Sequence, residues 1–297
     1  MVGYIAQQLV NGLILGSMYA LVAIGFTMIY GIIRLINFAH GDIVMIGAFV
    51  TLGLVISGQI PFPVIIILVI LAGALMGIII ERAAFRPMRG APQVTGFITS
   101  LAVSILLQNL GILLLTAQPR NFFCPDYLQT VFNLGSVSLR TIDLAIVVIA
   151  VVLMVFLVLL VRFTRLGMAM RATAENLKVA LLMGININRI IMLAFAIGSG
   201  LAGVAGMMWG ARYGQIDPLL GFVPGLKAFV AAVIGGVGSI PGAMLGGYLL
   251  GFAEVLFVGL LPPIYSSYRD AFVFIILILI LLVLPTGLLG RKMEEGV

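Results

Sequence analysis

The chain has 297 residues, of which 63% are hydrophobic and 9% charged, with a mean hydropathy of +1.28 and a net charge of +6. Soluble domains run near 45–50% apolar and about 25% charged, and no water-soluble fold of this size covers so large an apolar excess with so little polar surface. That excludes a disordered tail, a secreted disulfide scaffold and a nucleic-acid binder, and it predicts an all-α, polytopic transmembrane helical bundle.

Charge-free runs occupy 1–33, 43–80, 90–119, 144–161, 190–211, 228–253 and 271–290. A hydrocarbon core of about 30 Å needs about 20 apolar residues of helix, so 43–80 holds two crossings. The runs lack the alternation of barrel strands. Helices are expected near 5–31, 42–57, 63–84, 95–116, 142–162, 190–212, 223–237, 240–261 and 269–288. That makes eight to nine membrane segments in a single domain, 1–297, with 223–237 short for a full crossing. The first run lacks a basic n-region and is too long for a signal h-region, so it reads as a retained helix.

Alternating the sides collects Arg34, Arg82, Arg86, Arg89, Arg162, Arg165, Arg171, Lys178, Arg189, Arg291 and Lys292 on one face, eleven of the 16 basic residues. Basic loops stay cytoplasmic, which predicts the N-terminus outside, the C-terminus inside and a multi-pass protein of the cytoplasmic membrane. The largest outer loop is 117–142, with a short strand or hairpin at Val131–Leu139. A second, 214–224, carries a turn at Asp217-Pro218 and Gly221. Either loop receives a partner or merely connects helices.

The sequence holds no energy source of its own. No phosphate-cradling G-x-x-x-x-G-K-[ST] loop occurs, nor a G-x-S-x-G elbow or an H-E-x-x-H pair. The single cysteine, Cys124, and single histidine, His40, build no metal site. The one acid deep in an apolar run is Glu254, which pairs with Lys227 or serves a proton step.

Small-residue spacings recur among the 36 glycines. Gly238-x-x-x-Gly242-x-x-x-Gly246 puts glycines on one helix face for close packing. Gly235 through Gly242, with Pro241, reads as a turn between two membrane helices. In the basic loop 163–189, Thr173 suits an N-cap, Glu175 the first turn and Gly184 a C-cap of one short helix. Leu177, Ala180 and Leu181 share an apolar face, and Glu175 and Lys178 are spaced to pair. This helix either lies against anionic lipid headgroups or docks a cytosolic partner.

Three stretches resemble the permease subunits of ABC importers for branched-chain amino acids, of the LivH type: NGLILGSMYALVAIGFTMIYGIIRLINFAHGDIVMIG from Asn11, RATAENLKVALLMGI from Arg171 and GLKAFVAAVIGGVGSIPGAMLGG from Gly225, with Leu284-Pro285-Thr286-Gly287 closing the chain. The resemblance implies alternating access without covalent chemistry, a sister permease, two cytosolic ATPase subunits that bind the ATP, and a soluble solute-binding protein delivering onto 117–142, 214–224 and 262–270. It makes the loop around Ala174, Glu175, Lys178, Ala180 and Gly184 the ATPase-coupling element, although the acid-Ala-Ala opening and Leu-Pro ending of the fuller motif are missing. Candidate path or gate residues are Asn37, His40, Asp42, Gln108, Asn109 and Glu254. For Asn37, His40 and Asp42 the alternative is fixing the loop between the first two helices, and Gln108 and Asn109 point about 100° apart. Related permeases for urea, amides or other small polar solutes, an ion-coupled carrier acting alone and a membrane scaffold are the competing readings.

Overall fold

A computed structural model describes residues 2–290 apart from Gln59 and Ser136. Arg291 and Lys292, counted above toward the basic face, lie outside the described residues. In chain order the elements are α1 (Val2–Ile33), α2 (Ala39–Ile56), α3 (Phe62–Ile80) running into a π-turn (Glu81–Phe85), α4 (Gln93–Leu115), β1 (Arg120–Asn121), α5 (Asp126–Gln129), β2 (Val131–Leu134), β3 (Val137–Arg140), α6 (Thr141–Phe163), α7 (Arg165–Glu175), α8 (Leu177–Leu182), α9 (Ile187–Tyr213), β4 (Gln215–Ile216), α10 (Phe222–Gly235), α11 (Ile240–Leu260), a 3-10 turn (Pro263–Tyr268) and α12 (Arg269–Val283).

Eight helical spans among the described residues are long and apolar enough to cross a membrane, and α10 is a shorter apolar helix. α1 and α9 form the axis of the bundle and are almost wholly enveloped, whereas α12 buries only Val273. α1 packs antiparallel on α11, with Gly12 against Phe252 and Gly16 against Tyr248. α9 packs on α3 and α2, where Gly203 meets Gly47. With lipid tails as apolar as leucine, such helices gain from close backbone contact, and small residues permit it. At one end β2 and β3 form an antiparallel hairpin (Val131 opposite Arg140, Leu134 opposite Val137), and β1 pairs with β4.

Two helices begin inside the bundle instead of at its ends. After α1 the chain turns at Arg34 (φ 54°) and climbs back. α2 then starts with the His40 ring against Gly25 and beside the Val22 carbonyl. Those residues lie two to three turns before the end of α1, roughly 12–16 Å at 1.5 Å per residue. This corrects the sequence expectation that 34–42 is a surface loop: Ala39, His40 and Asp42 are buried in helix. The segment 214–224 also dips inward, burying Ile216, Pro218, Gly221 and Pro224, and α10 starts where Gly221 and Gly225 press on Gly41.

Candidate functional site

The first constellation surrounds the start of α2. Its first turn packs backbone to backbone with α10, because Gly41, Gly221 and Gly225 have no side chains to hold the helices apart. The turn leading into α10 is set by Asp217, whose Oδ1 accepts from the Leu219 N–H at 2.8 Å. Three polar side chains are buried here. Asn37 is 2% exposed and neither end of its amide has a partner. His40 Nε2 lies 3.3 Å from the Val22 carbonyl, while Nδ1 is unpartnered. Asp42 Oδ1 accepts from Gln108 Nε2 at 3.0 Å, and that amide nitrogen also donates to Ser104 at 3.1 Å. Asp42 Oδ2 is unpartnered.

An unsatisfied buried polar group costs about 1–3 kcal/mol, so a cluster of them in one small region is a departure from ordinary packing. The structure thus brings Asn37, His40, Asp42 and Gln108 to the neighbourhood of the α2 start. It does not bring Asn109 there: that side chain faces outward on α4 and donates to the Ile105 carbonyl of its own helix.

Glu254 lies in a different place, in a buried charge network. Its Oε1 is 2.7 Å from Lys227 Nζ and its Oε2 accepts from the Tyr19 hydroxyl at 2.8 Å. Lys227 also pairs with Asp270 at 2.7 Å, and Arg269 stands 3.9 Å from Glu254. The network ties α1, α10, α11 and α12 together. Sequence reading named the Lys227 partner but missed Tyr19 and Asp270, which sit far away in the chain.

A second missed cluster lines an open cleft of about 490 Å³ at the hairpin end, bounded by Gln7, Asn11, Ser138, Arg140, Asp143, Arg212 and Tyr213. Asp143 pairs with Arg212 and, at 3.4 Å, with Arg140, and Arg212 donates to Asn11 at 3.3 Å. The only signal in sequence was that Asp143 and Arg212 bound their apolar runs.

The basic loop is two helices, not one. Thr173 is no cap: it is buried in α7 and its hydroxyl donates back to the Ala169 carbonyl at 2.7 Å, a common use of threonine inside a helix. Asn176 caps α8 instead, its Oδ1 accepting from the N–H groups of Lys178 and Val179 at 3.0 and 3.1 Å. Glu175 therefore ends α7 while Lys178 lies in the first turn of α8, and the two form no ion pair. Gly184, at φ 80°, closes α8 with paired bonds from its own N–H to Leu181 and from Ile185 to Ala180, the arrangement that favours glycine after a helix. Ala180 is buried, whereas Leu181, Leu182 and Met183 project outward, the last two 85% and 77% exposed. Ala174 is partly buried against the core.

At the turn between α10 and α11, Ser239 caps α11, accepting from Gly242 at 3.2 Å, with Pro241 in the first turn. Gly242 packs on Gly235, Gly246 on Ala231, and the Gly238 N–H donates to Thr27 on α1 at 2.9 Å. The closing Leu288 and Leu289 donate to the Ile234 and Gly235 carbonyls, both at 2.9 Å, which satisfies the end of α10. Among the described residues no cluster of three metal-ligating side chains occurs.

A polytopic helical bundle with half-depth helix starts, paired intramembrane charges and a basic loop platform is the architecture of a membrane transport protein. The comparisons specify the class. A family model described as the permease component of the branched-chain amino acid transport system matches residues 8–283, and the chain belongs to that family. It is 42% identical to the high-affinity branched-chain amino acid transport system permease protein LivH of Salmonella typhimurium, over 99% of this chain and 98% of that protein. It is 44% identical to the corresponding permease protein BraD of Pseudomonas aeruginosa, over 98% and 97%. A ribose import permease, RbsC of Haemophilus influenzae, is 25% identical over 80% of this chain and 72% of its own. No solved structure matches the chain.

Proposed function

We propose that this chain is the membrane-spanning permease of an ABC importer that passes branched-chain amino acids, handed over by a soluble binding protein, through alternating access. The observation that carries the reading is the near full-length similarity to LivH and BraD, each described as a high-affinity branched-chain amino acid permease. The partners in this reading are a sister permease, two cytosolic ATPases that hold the ATP, the binding protein and the surrounding lipid. The N-terminus lies outside and the C-terminus inside, which the basic end of the bundle supports.

In this scheme α7 and α8 are the part gripped by the ATPases. Support comes from an apolar tip, Leu181, Leu182 and Met183, exposed on a basic loop, where water penalises it and a protein cleft does not. With Arg162 at its edge, the segment 162–189 carries a charge of +4, from five basic residues and one acid. The hairpin-end cleft with Arg140, Asp143 and Arg212 opens on the side where the binding protein delivers.

The test is co-purification with tagged ATPase subunits, followed by leucine uptake into vesicles. Uptake is expected to need ATP, the ATPases and the binding protein together. Deleting 174–184, or Glu175→Arg, is expected to leave membrane insertion intact while ATP hydrolysis no longer drives uptake. Uptake by the chain alone on an ion gradient, or normal ATP-driven uptake after the deletion, overturns the reading. ATP-driven uptake of urea or amides but not leucine moves it to the related permeases.

A further inference from the structure

The first turns of α2 and α10 meet inside the bundle; the His40, Gly41 and Phe222 N–H groups there donate to the Asn37, Phe38 and Leu219 carbonyls, while the Asn37 side-chain amide is used by no contact within the chain. Each helix end carries the equivalent of about half a positive charge, and no side chain caps either one. Both helices are full ones, of 18 and 14 residues. Beside the contact lies a narrow cavity of about 10 Å³, lined by Phe26, Asn37, Phe38, Phe222 and Phe229. Asn37 is the second, independent sign of a ligand: it is 98% buried, it lines this cavity, and its amide nitrogen and oxygen both lack partners. The one carboxylate in the first turn of α2, Asp42, bonds Gln108 on α4 and does not line the cavity.

Two helix N-termini and a free amide donor suit a carboxylate, while an aromatic wall suits an apolar side chain. We propose that the α-carboxylate of the translocated amino acid is held midway along the path by the α2 and α10 N-termini and by Asn37 Nδ2, with the substrate's side chain against Phe26 and Phe229. The inference rests on the transport function proposed above. At about 10 Å³ the cavity holds no more than one water, so the conformation described is the closed one. Phe222, 48% exposed, is the side chain between the cavity and the outside of the subunit. Withdrawal of α10 from α2 opens the site, and the glycine contact at Gly41 offers no interlocking side chains to resist it.

The experiment uses the whole reconstituted transporter with Cys124→Ser in this chain, its only cysteine, as the parent. ATP-driven leucine uptake by the parent tests the transport function; its absence overturns that function and this inference with it. In a parent that transports, Asn37→Cys is treated with an anionic and a cationic methanethiosulfonate during turnover. After correction for intrinsic reactivity, the anionic reagent is expected to react faster by roughly tenfold or more. Saturating leucine-loaded binding protein is expected to slow that reaction. Equal or faster reaction with the cationic reagent, no protection, or no labelling at any stage of the cycle overturns the inference while leaving the transport function standing. A second pair avoids dependence on the cysteine variant: Asn37→Ser, which keeps a donor, is expected to lower uptake less than Asn37→Asp, which puts a negative charge where the carboxylate binds, the two differing roughly tenfold or more with binding-protein-stimulated ATP hydrolysis retained in both. Equal uptake by the two overturns it as well.

Discussion

Lys227 is the cation at the centre of the buried network, and Lys227→Met removes its charge while keeping most of its length. Glu254 then loses the partner 2.7 Å away and keeps only the Tyr19 hydroxyl at 2.8 Å. Breaking a buried pair from one side costs about 3–5 kcal/mol. Arg269, 3.9 Å from Glu254, offsets part of this, so the lower end applies: about 3 kcal/mol, roughly a 100-fold shift in the folding equilibrium. Adding Glu254→Gln removes the stranded charge and returns most of the loss. The assay is a double-mutant cycle by denaturant unfolding in detergent, with hydrogen exchange over 269–283, because Asp270 is the tie that α12 makes to Lys227. The double variant is expected to be more stable than Lys227→Met alone and to keep leucine uptake. Effects that add to within about 0.5 kcal/mol refute the coupling. Restored stability without uptake refutes a purely structural role and makes the Glu254 carboxylate a working group.

The packing predicts opposite outcomes for two glycines. Gly206→Val drives a side chain into the Val44 carbonyl and is expected to destabilise by at least about 1–3 kcal/mol, whereas Gly53→Ala, with nothing within 4 Å, is neutral or up to about 1 kcal/mol stabilising; thermal midpoints in detergent decide both. Asn176→Ala removes the cap of α8, about 1 kcal/mol of local stability, and is expected to lower uptake per ATP hydrolysed without changing ATPase assembly. Burial raises the Cys124 thiol pKa against a smaller opposing pull from Arg140. The reactive thiolate is therefore scarcer near neutral pH than for an ordinary thiol, and maleimide labelling is expected to keep accelerating above pH 9.0; a plateau below that pH refutes it.

Hydropathy alone located the membrane helices to within a few residues, because each is specified locally by length and the absence of charge. It placed the last one at 269–288 where the helix stops at Val283: the run stays free of charge to Gly290, but Pro285 has no N–H for the helical ladder, and the Leu288 and Leu289 N–H groups go to α10 carbonyls. Depth was not legible. NFAHGD reads as a loop between two helices, and only the backs of Gly25, Gly198 and Gly225 reveal that His40 and Gly41 sit deep in the bundle. The basic loop failed for a related reason. Thr173 and Asn176 are both good caps, and burial of Thr173 against the bundle, a tertiary fact, decides for Asn176. Gln108 and Asn109 were legible as alternatives, and the Asp42 contact selects Gln108.

Two of the polar centres among the described residues answer different physical demands. Lys227 and Glu254 are full charges, and a full charge in a low-dielectric interior must stay paired. A group so committed cannot take hold of a passing zwitterion and then let it go without paying the desolvation of its own partner. The starts of α2 and α10 carry fractional charge on backbone N–H groups that belong to the helix whether or not anything is bound. The arriving carboxylate still sheds its water, but no ion pair of the protein has to be broken or reprotonated when it comes or goes. If a separate binding protein sets the selectivity, as proposed above, such a weak, reversible hold suffices, since tight binding midway would only slow release. In this reading the glycine contact of Gly41 with Gly221 and Gly225 leaves the helix starts free to separate, while Lys227 and Glu254 serve as fixed ties.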